Sequence, residues 1–433
     1  MKSLFVAIGL LAAFVEGGPN DWPGWRGPTA DGLSLAKGFP TSWSTSTNIA
    51  WKVPVEGRGH SSPVVWGDRL FVTTDIEGEP IPDAGAVKHV LEGQPFVHPD
   101  ATGANRKHTL KLLCYDTREG KLLWDRVAYQ GPAFDDVAKF NTYASPTVVT
   151  DGTRVYAYFE SQGLYAFDFD GKLIWKTSLG GIATLGVGTG VSPVLAGDKV
   201  IILADQDEGK GSFIAAVSTS DGKIAWKTSR TNALTWTVPL ITKAGIIVPS
   251  TEDVVAYDPS TGTALWKTEG LDSNVVHTAV AGHGMIYVSA GYPKKKTLAI
   301  RLNPAEGEPR VAWKYEKGTG YIPSPLLVGD YLYLMTDAGL VTCLDAHTGA
   351  VKYEGKRFKQ AAKFMSPPVA ADGMILITSQ EGETHILKAG PEFEVLADNG
   401  IEEPVYAGLA LSKQSIFIRS AKHLFCIRPP KPN

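Results

Sequence analysis

Ala256-Tyr257-Asp258-Pro259-Ser260-Thr261-Gly262-Thr263-Ala264-Leu265-Trp266 is the stretch that decides the fold. A strand ends in small-aromatic-Asp, Pro-Ser-Thr-Gly makes a tight turn, and the next strand runs into a tryptophan. The pattern recurs as Leu164-Tyr165-Ala166-Phe167-Asp168, Gly171-Lys172 and Trp175. Cys343-Leu344-Asp345-Ala346-His347-Thr348-Gly349 is another copy. The closing residues keep one beat: Trp124, Trp175, Trp226, Trp266, Trp313, then Tyr353 and Leu396.

Each copy follows a second recurrent element: Ser-Pro-hydrophobic, a Gly/Asp turn, and an apolar strand. Ser145-Pro146, Asp151-Gly152 and Arg154 to Phe159 show it whole. The starts fall at Ser62, Ser145, Ser192, Val238, Thr278, Ser324, Ser366 and, degenerately, Gly408. After a first interval of 83 residues the spacing stays between 40 and 47. Such a period, with four short strands per unit, is the signature of propeller blades. No segment sustains a 3.6-residue apolar period, which argues against an α-solenoid. The expected fold is all-β: an eight-bladed propeller of four-stranded antiparallel blades over residues 48–428, with an insert at 76–108 in the first.

The eighth unit supplies only three strands. Asn48 to Val55 reads as a closing strand with no unit before it, Trp51 included. It is expected to complete the last blade and close the ring, covering edges that a sheet otherwise exposes. The closing tryptophans (Trp51, Trp124, Trp175, Trp226, Trp266, Trp313) are expected to be buried docking residues between blades. Cys114, Cys343 and Cys426 occupy the repeat position of Ala166, Ala216, Ala256 and Ala299. They read as small buried residues rather than disulfide or metal cysteines.

The remaining composition bounds function by exclusion. Forty-two basic and 45 acidic residues leave a net charge of −3 with no long run of either sign, so nothing favours nucleic acid. No spanning helix follows the N-terminus. Lys2, the apolar run Leu4 to Val15, and Val15 and Gly17 at positions −3 and −1 read as a signal peptide over residues 1–17. With no cysteine near the cut, a soluble periplasmic or secreted monomer is expected. Residues 18–47 form a leader, and 429–433 a short tail.

The repeated units resemble the tryptophan-docking repeat of pyrroloquinoline-quinone (PQQ) dehydrogenases across about residues 48–428. The same repeat builds BamB-type outer-membrane assembly propellers, which carry no quinone. The leader motif Trp22-Pro23-Gly24-Trp25-Arg26-Gly27-Pro28, followed by Asp31-Gly32, resembles PQQ-like propellers of planctomycetes and related bacteria. The resemblance implies either a binding or scaffold module for envelope proteins or peptides, or a quinoprotein oxidising alcohols or sugars with PQQ and Ca²⁺. Such enzymes often have an adjacent cysteine pair beneath the cofactor and a Cys-x-x-Cys-His haem site. This sequence has neither, so no PQQ dehydrogenase activity is expected.

Residues entering the inner strands are expected to ring the channel mouth on one face. They are Arg58, His60, Asn141, Tyr143, Thr189, Trp236, Asn274, His277, Tyr321, Lys363 and Tyr406. The ring suits a planar ligand or a peptide but is poor in carboxylates. The 76–108 insert should lie over this face as a lid. Its His89, His98 and His108, with Glu92 and Asp100, are of types that bind Zn²⁺ or Cu²⁺. Asp205, Asp207 and Glu208 form an acidic loop of Ca²⁺-binding type, and the one place offering paired carboxylates for glycan hydrolysis. Lys294-Lys295-Lys296 reads as an exposed basic patch that could meet an anionic partner.

Overall fold

Four antiparallel strands, Val149–Thr150, Arg154–Tyr158, Leu164–Asp168 and Leu173–Thr177, form one blade from inside to outside. The computed structural model describes residue 18 and residues 20–429, and arranges eight such sheets as a closed propeller. The expected signal peptide lies outside the described residues, as does the tail beyond Pro429. In the eighth blade the outer strand Ile49–Pro54 pairs with His423–Ile427, so the chain's beginning locks its end. Hydrogen bonds between the strand starts carry the ring across that seam. Gly408 N–H donates to Ser62 Oγ, Ser62 N–H to Thr147 Oγ1, and Thr147 N–H to Ser192 Oγ.

Register explains the repeat. Each closing aromatic sits opposite a small residue: Trp175 opposite Ala166, Trp226 opposite Ala216, Trp266 opposite Ala256, and Trp313 opposite Ala299. Cys114, Cys343 and Cys426 fill this position opposite Trp124, Tyr353 and Trp51. All three thiols are free and buried, and burial pushes their pKa values up to about 12, 12 and 11. A bulge beside the pair tips the aromatic toward the next blade.

There the indole N–H donates to a backbone carbonyl: Trp51 to Thr117, Trp124 to Phe169, Trp175 to Thr219, Trp226 to Pro259 and Trp313 to Ala346. The turn glycine of that next blade lies against the ring. A Cβ on Gly120, Gly171, Gly222, Gly262 or Gly349 would stand 2.3 to 2.9 Å from the indole, and each glycine has positive φ. The repeat therefore needs Gly and Trp together.

Three expectations change. Trp226, Trp266 and Trp313 are only half-buried, because one edge of each outer-strand ring meets solvent. Trp266 docks differently, under the Arg310 guanidinium at 4.4 Å, because the next turn is longer. In the seventh blade the position opposite Ile386 belongs to Ala397, not Leu396, which points out at 46% exposure. A one-residue shift on a strand reverses the face.

The insert is also shorter than expected. Ile76 and His108 lie within two extended strands, Arg69–Pro80 and Arg106–Asp116, so the added structure proper is 81–105. It carries its own hairpin, His89–Leu91 with Gln94–Phe96.

The leader crosses the opposite end of the channel. Trp22 exchanges backbone hydrogen bonds with Val65 of the first blade, and Thr150 of the second donates to Pro23 O. Trp25 reaches Thr278 Oγ1 in the fifth blade, and Arg26 donates to Pro325 O in the sixth. Ala370 N–H of the seventh donates to Gly32 O, and Ser34 Oγ contacts Leu411 O of the eighth. Trp22 and Arg26 are almost wholly buried. The Trp-Pro-Gly-Trp-Arg-Gly-Pro motif is a built floor.

Candidate functional site

The open end of the channel holds a pocket of ≈ 1160 Å³, part of it open to solvent. His60, Asn141, Thr189, Trp236, Asn274 and Tyr321 line it, with Phe96 and His98 from the insert on one side. Below, the channel narrows past Tyr406, Thr278 and Ser324 to the leader's Trp25.

These residues are held firmly. Trp236 donates its indole N–H to Gly188 O at 3.0 Å. Asn141 donates to Val187 O and accepts from Ser145 Oγ. Tyr321 N–H and Ile322 N–H both donate to Asp337. His60 stacks on Tyr406 at 4.5 Å between centroids. Burial, then the charges of Arg419 and Arg58, lower its pKa to about 3, so it is a neutral ring at physiological pH.

Four of the expected ring residues serve elsewhere. Arg58 lines a neighbouring shallow cleft with Lys139 and donates to Lys139 O. Tyr143 turns toward the insert, donating to Asp135 O and packing on His108. His277 is buried behind the wall, its Nδ1 2.6 Å from Ser289 Oγ. Burial lowers its pKa to about 4. Lys363 is exposed and does not line the pocket.

An apolar wall that the expected hydrogen-bonding ring does not include is made by Phe140, Leu234, Val276, Ile322 and Met365. The repeat did hold a signal. Two residues before each start stand His60, Tyr143, Gly190, Trp236, Val276, Ile322, Phe364 and Tyr406, and most of them face the channel.

The proposed metal ligands are engaged with one another instead. His89 lies between Asp207, 2.6 Å from Nδ1, and Asp135, 2.9 Å from Nε2. A carboxylate at each nitrogen favours the doubly protonated imidazolium, which has no lone pair for a metal. Burial opposes that charge, but the hydrogen bonds and charges of Asp207 and Asp135 outweigh it and raise the pKa. Asp135 is itself held by Thr184, through its N–H and hydroxyl. Glu208 accepts from Glu92 N–H at 2.7 Å. The acidic loop of the third blade is thus the anchor of the insert's hairpin.

His108 is fixed likewise, Nδ1 to Asp75 and Nε2 to Gly103 O, while His98 stands apart in the pocket wall. Asp205 is buried in a two-pronged pair with Arg230, at 2.7 and 3.1 Å, and accepts from Thr235, so it offers neither a Ca²⁺ site nor a glycosidase acid. Lys296 is no part of an exposed patch. It is buried, bonded to Gly270 O and Asp272.

A Ca²⁺-held quinone requires anionic oxygen ligands around the mouth. Among the described residues, none lining the pocket or the channel is Asp or Glu. The nearby carboxylates are spent: Glu160 accepts from Thr189 N–H, Thr189 Oγ1 and Gly190 N–H. The donor set does not fit that cofactor.

The family model described as outer membrane protein assembly factor BamB matches residues 79–211, 108–350 and 210–430. The chain belongs to this family. BamB of Moranella endobia (strain PCIT) is 27% identical over 130 residues, 30% of each chain, so the match spans under a third of that relative. BamB of Moraxella catarrhalis superposes with TM-score 0.55 at 16% identity, over 83% of this chain and 99% of that one. A europium-containing methanol dehydrogenase gives 0.60 at 12% identity, over 94% and 91%. The quinohemoprotein alcohol dehydrogenase of Comamonas testosteroni gives 0.59 at 12%, over 98% and 82%. These structural likenesses establish the shared propeller. Among the described residues, no helix is long and apolar enough to cross a membrane.

Proposed function

We propose that this BamB-family propeller is an exported, monomeric binding or scaffold module of the cell envelope that works without quinone. The observation that carries the reading is the pocket at the channel mouth. Its wall is apolar and aromatic, its polar groups are mostly paired within the protein, and its floor is sealed by the leader. Such a surface suits an apolar or aromatic side chain presented by a partner protein or peptide. Family membership supports a partner in outer-membrane assembly. The insert, fixed by His89 and His108, forms one wall of the site and presents Phe96 to it.

Two assays test the proposal. Wild-type protein and a Trp236→Ala variant are used as baits on solubilised envelope. The wild type should retain a defined partner and the variant should lose it; equal recovery counts against the pocket. Separately, protein incubated with PQQ and Ca²⁺ should show no dye-linked oxidation of alcohols or aldoses. Turnover in that assay would replace this reading with the quinoprotein one.

A further inference from the structure

On the opposite face, three side chains of two adjacent blades converge. His283 lies in the fifth blade's first turn, Asp330 in the sixth blade's first turn, and His347 in the sixth blade's outer turn. Asp330 Oδ1 is 3.0 Å from His347 Nε2 and 3.7 Å from His283 Nε2. One ligand atom from each residue lies within 4.8 Å of the others. Two ligands bound to a tetrahedral Zn²⁺ at about 2.0–2.1 Å stand roughly 3.3 Å apart, so these separations bracket the required span.

The repeat supplies an internal control. At the junction of the eighth and first blades the same three positions hold Lys413, Asp68 and Arg118. Lys413 and His283 share a left-handed turn conformation, φ +48 and +54. Lys413 Nζ is 2.9 Å, and Arg118 Nη2 3.2 Å, from the Asp68 carboxylate. Those cations can only bridge, having no lone pair to give. The fifth–sixth junction replaces both with imidazoles whose Nε2 atoms face the same oxygen. Their rings are 4.2 Å apart, where two charged rings would repel each other. A divalent ion between them turns that crowding into coordination. His283 Nε2 also lies 3.0 Å from Gly329 O, a bond that metal binding would replace.

We propose that His283, Asp330 and His347 form a surface site for a divalent transition-metal ion of the Zn²⁺/Cu²⁺ class, clipping blade five to blade six. Two imidazole nitrogens and one carboxylate favour such ions over Ca²⁺ or Mg²⁺, and water completes the shell. The site stands apart from the channel-mouth pocket and does not depend on that reading.

The test uses the full chain, chelator-treated and titrated calorimetrically with Zn²⁺ alone and then Cu²⁺ alone. One equivalent should bind, and the Cu²⁺ spin-resonance spectrum should show coupling to two nitrogens. The double variant His283→Lys with His347→Arg installs the pair used at the other junction, so it should keep the wild-type melting temperature in chelator. It should lose both the binding and the nitrogen coupling. Should that variant melt early, His347→Ala, on an exposed turn, serves instead and should weaken binding by at least about tenfold. Absence of saturable binding to the wild type, or unchanged affinity in a folded variant, would overturn the proposal.

Discussion

Gly222→Ala isolates the contact that docks one blade on the next. Gly222 has φ +72, and a Cβ there would meet the Trp175 ring at 2.7 Å. Holding alanine in the left-handed region costs about 1–2 kcal/mol. Displacing the indole also weakens its hydrogen bond to Thr219 O, about 1 kcal/mol, so the total is about 2–3 kcal/mol. Gly307 is the control: its φ is +76, but nothing lies within 4 Å of its would-be Cβ. Gly307→Ala should therefore cost only the backbone part, about 1–2 kcal/mol. Trp175→Ala should cost about 3–5 kcal/mol. In that background Gly222→Ala should fall most of the way to the Gly307 value, with only the Thr177 Oγ1 contact at 2.9 Å remaining, a coupling of about 1 kcal/mol. Urea unfolding at constant m-value measures all four variants. Equal costs at Gly222 and Gly307, or no coupling to Trp175, would refute the docking account.

The insert should respond to pH. His89's folded pKa is raised, so its pairing stabilises fully below the ordinary imidazole value and is lost as pH rises through the raised one. Hydrogen-exchange protection of the 89–96 hairpin should therefore fall as pH rises past the ordinary imidazole range and through the raised value; constant protection would show that the two carboxylates do not hold it. Asp207→Asn should flatten that dependence in the same measurement. The three cysteines should be silent to a thiol reagent in the native protein and all react in denaturant, since burial raises their pKa values and shuts off access. Trp22→Ala should lower stability by about 3–5 kcal/mol, because the ring is wholly buried beneath the first blade. A loss near zero on calorimetry would mean the leader is not a structural floor.

The fold was legible because a docking repeat must restate its local chemistry in every blade. The Gly–Trp pair and the small residue opposite each tryptophan are demands of single turns and strand pairs, so they show in sequence. Even the cysteines were readable as members of that register. The candidate site was legible only in part. His60, Trp236 and Tyr406 stand two residues before their repeat starts and could be placed. Phe140 and Leu234 face the pocket through irregular loops that carry no such offset. The ionic anchor of the insert joins His89 to Asp207, 118 residues away. Each residue type was noticed, but a metal and an imidazolium ask for the same ligands in sequence, and only distance separates them. The leader's motif is unusual in sequence, yet its role emerges only when the blades are seen around it.

Site-specific photocrosslinking tests the central claim most directly. A photoreactive residue replaces Phe140 at the channel mouth or, in a second protein, Glu306 on the opposite face, and each is irradiated in native envelope. Position 140 should yield a defined adduct with an envelope protein that disappears with Trp236→Ala, while position 306 should not yield it. The same adduct from both positions, or one indifferent to Trp236, would contradict a binding module that works through its channel mouth.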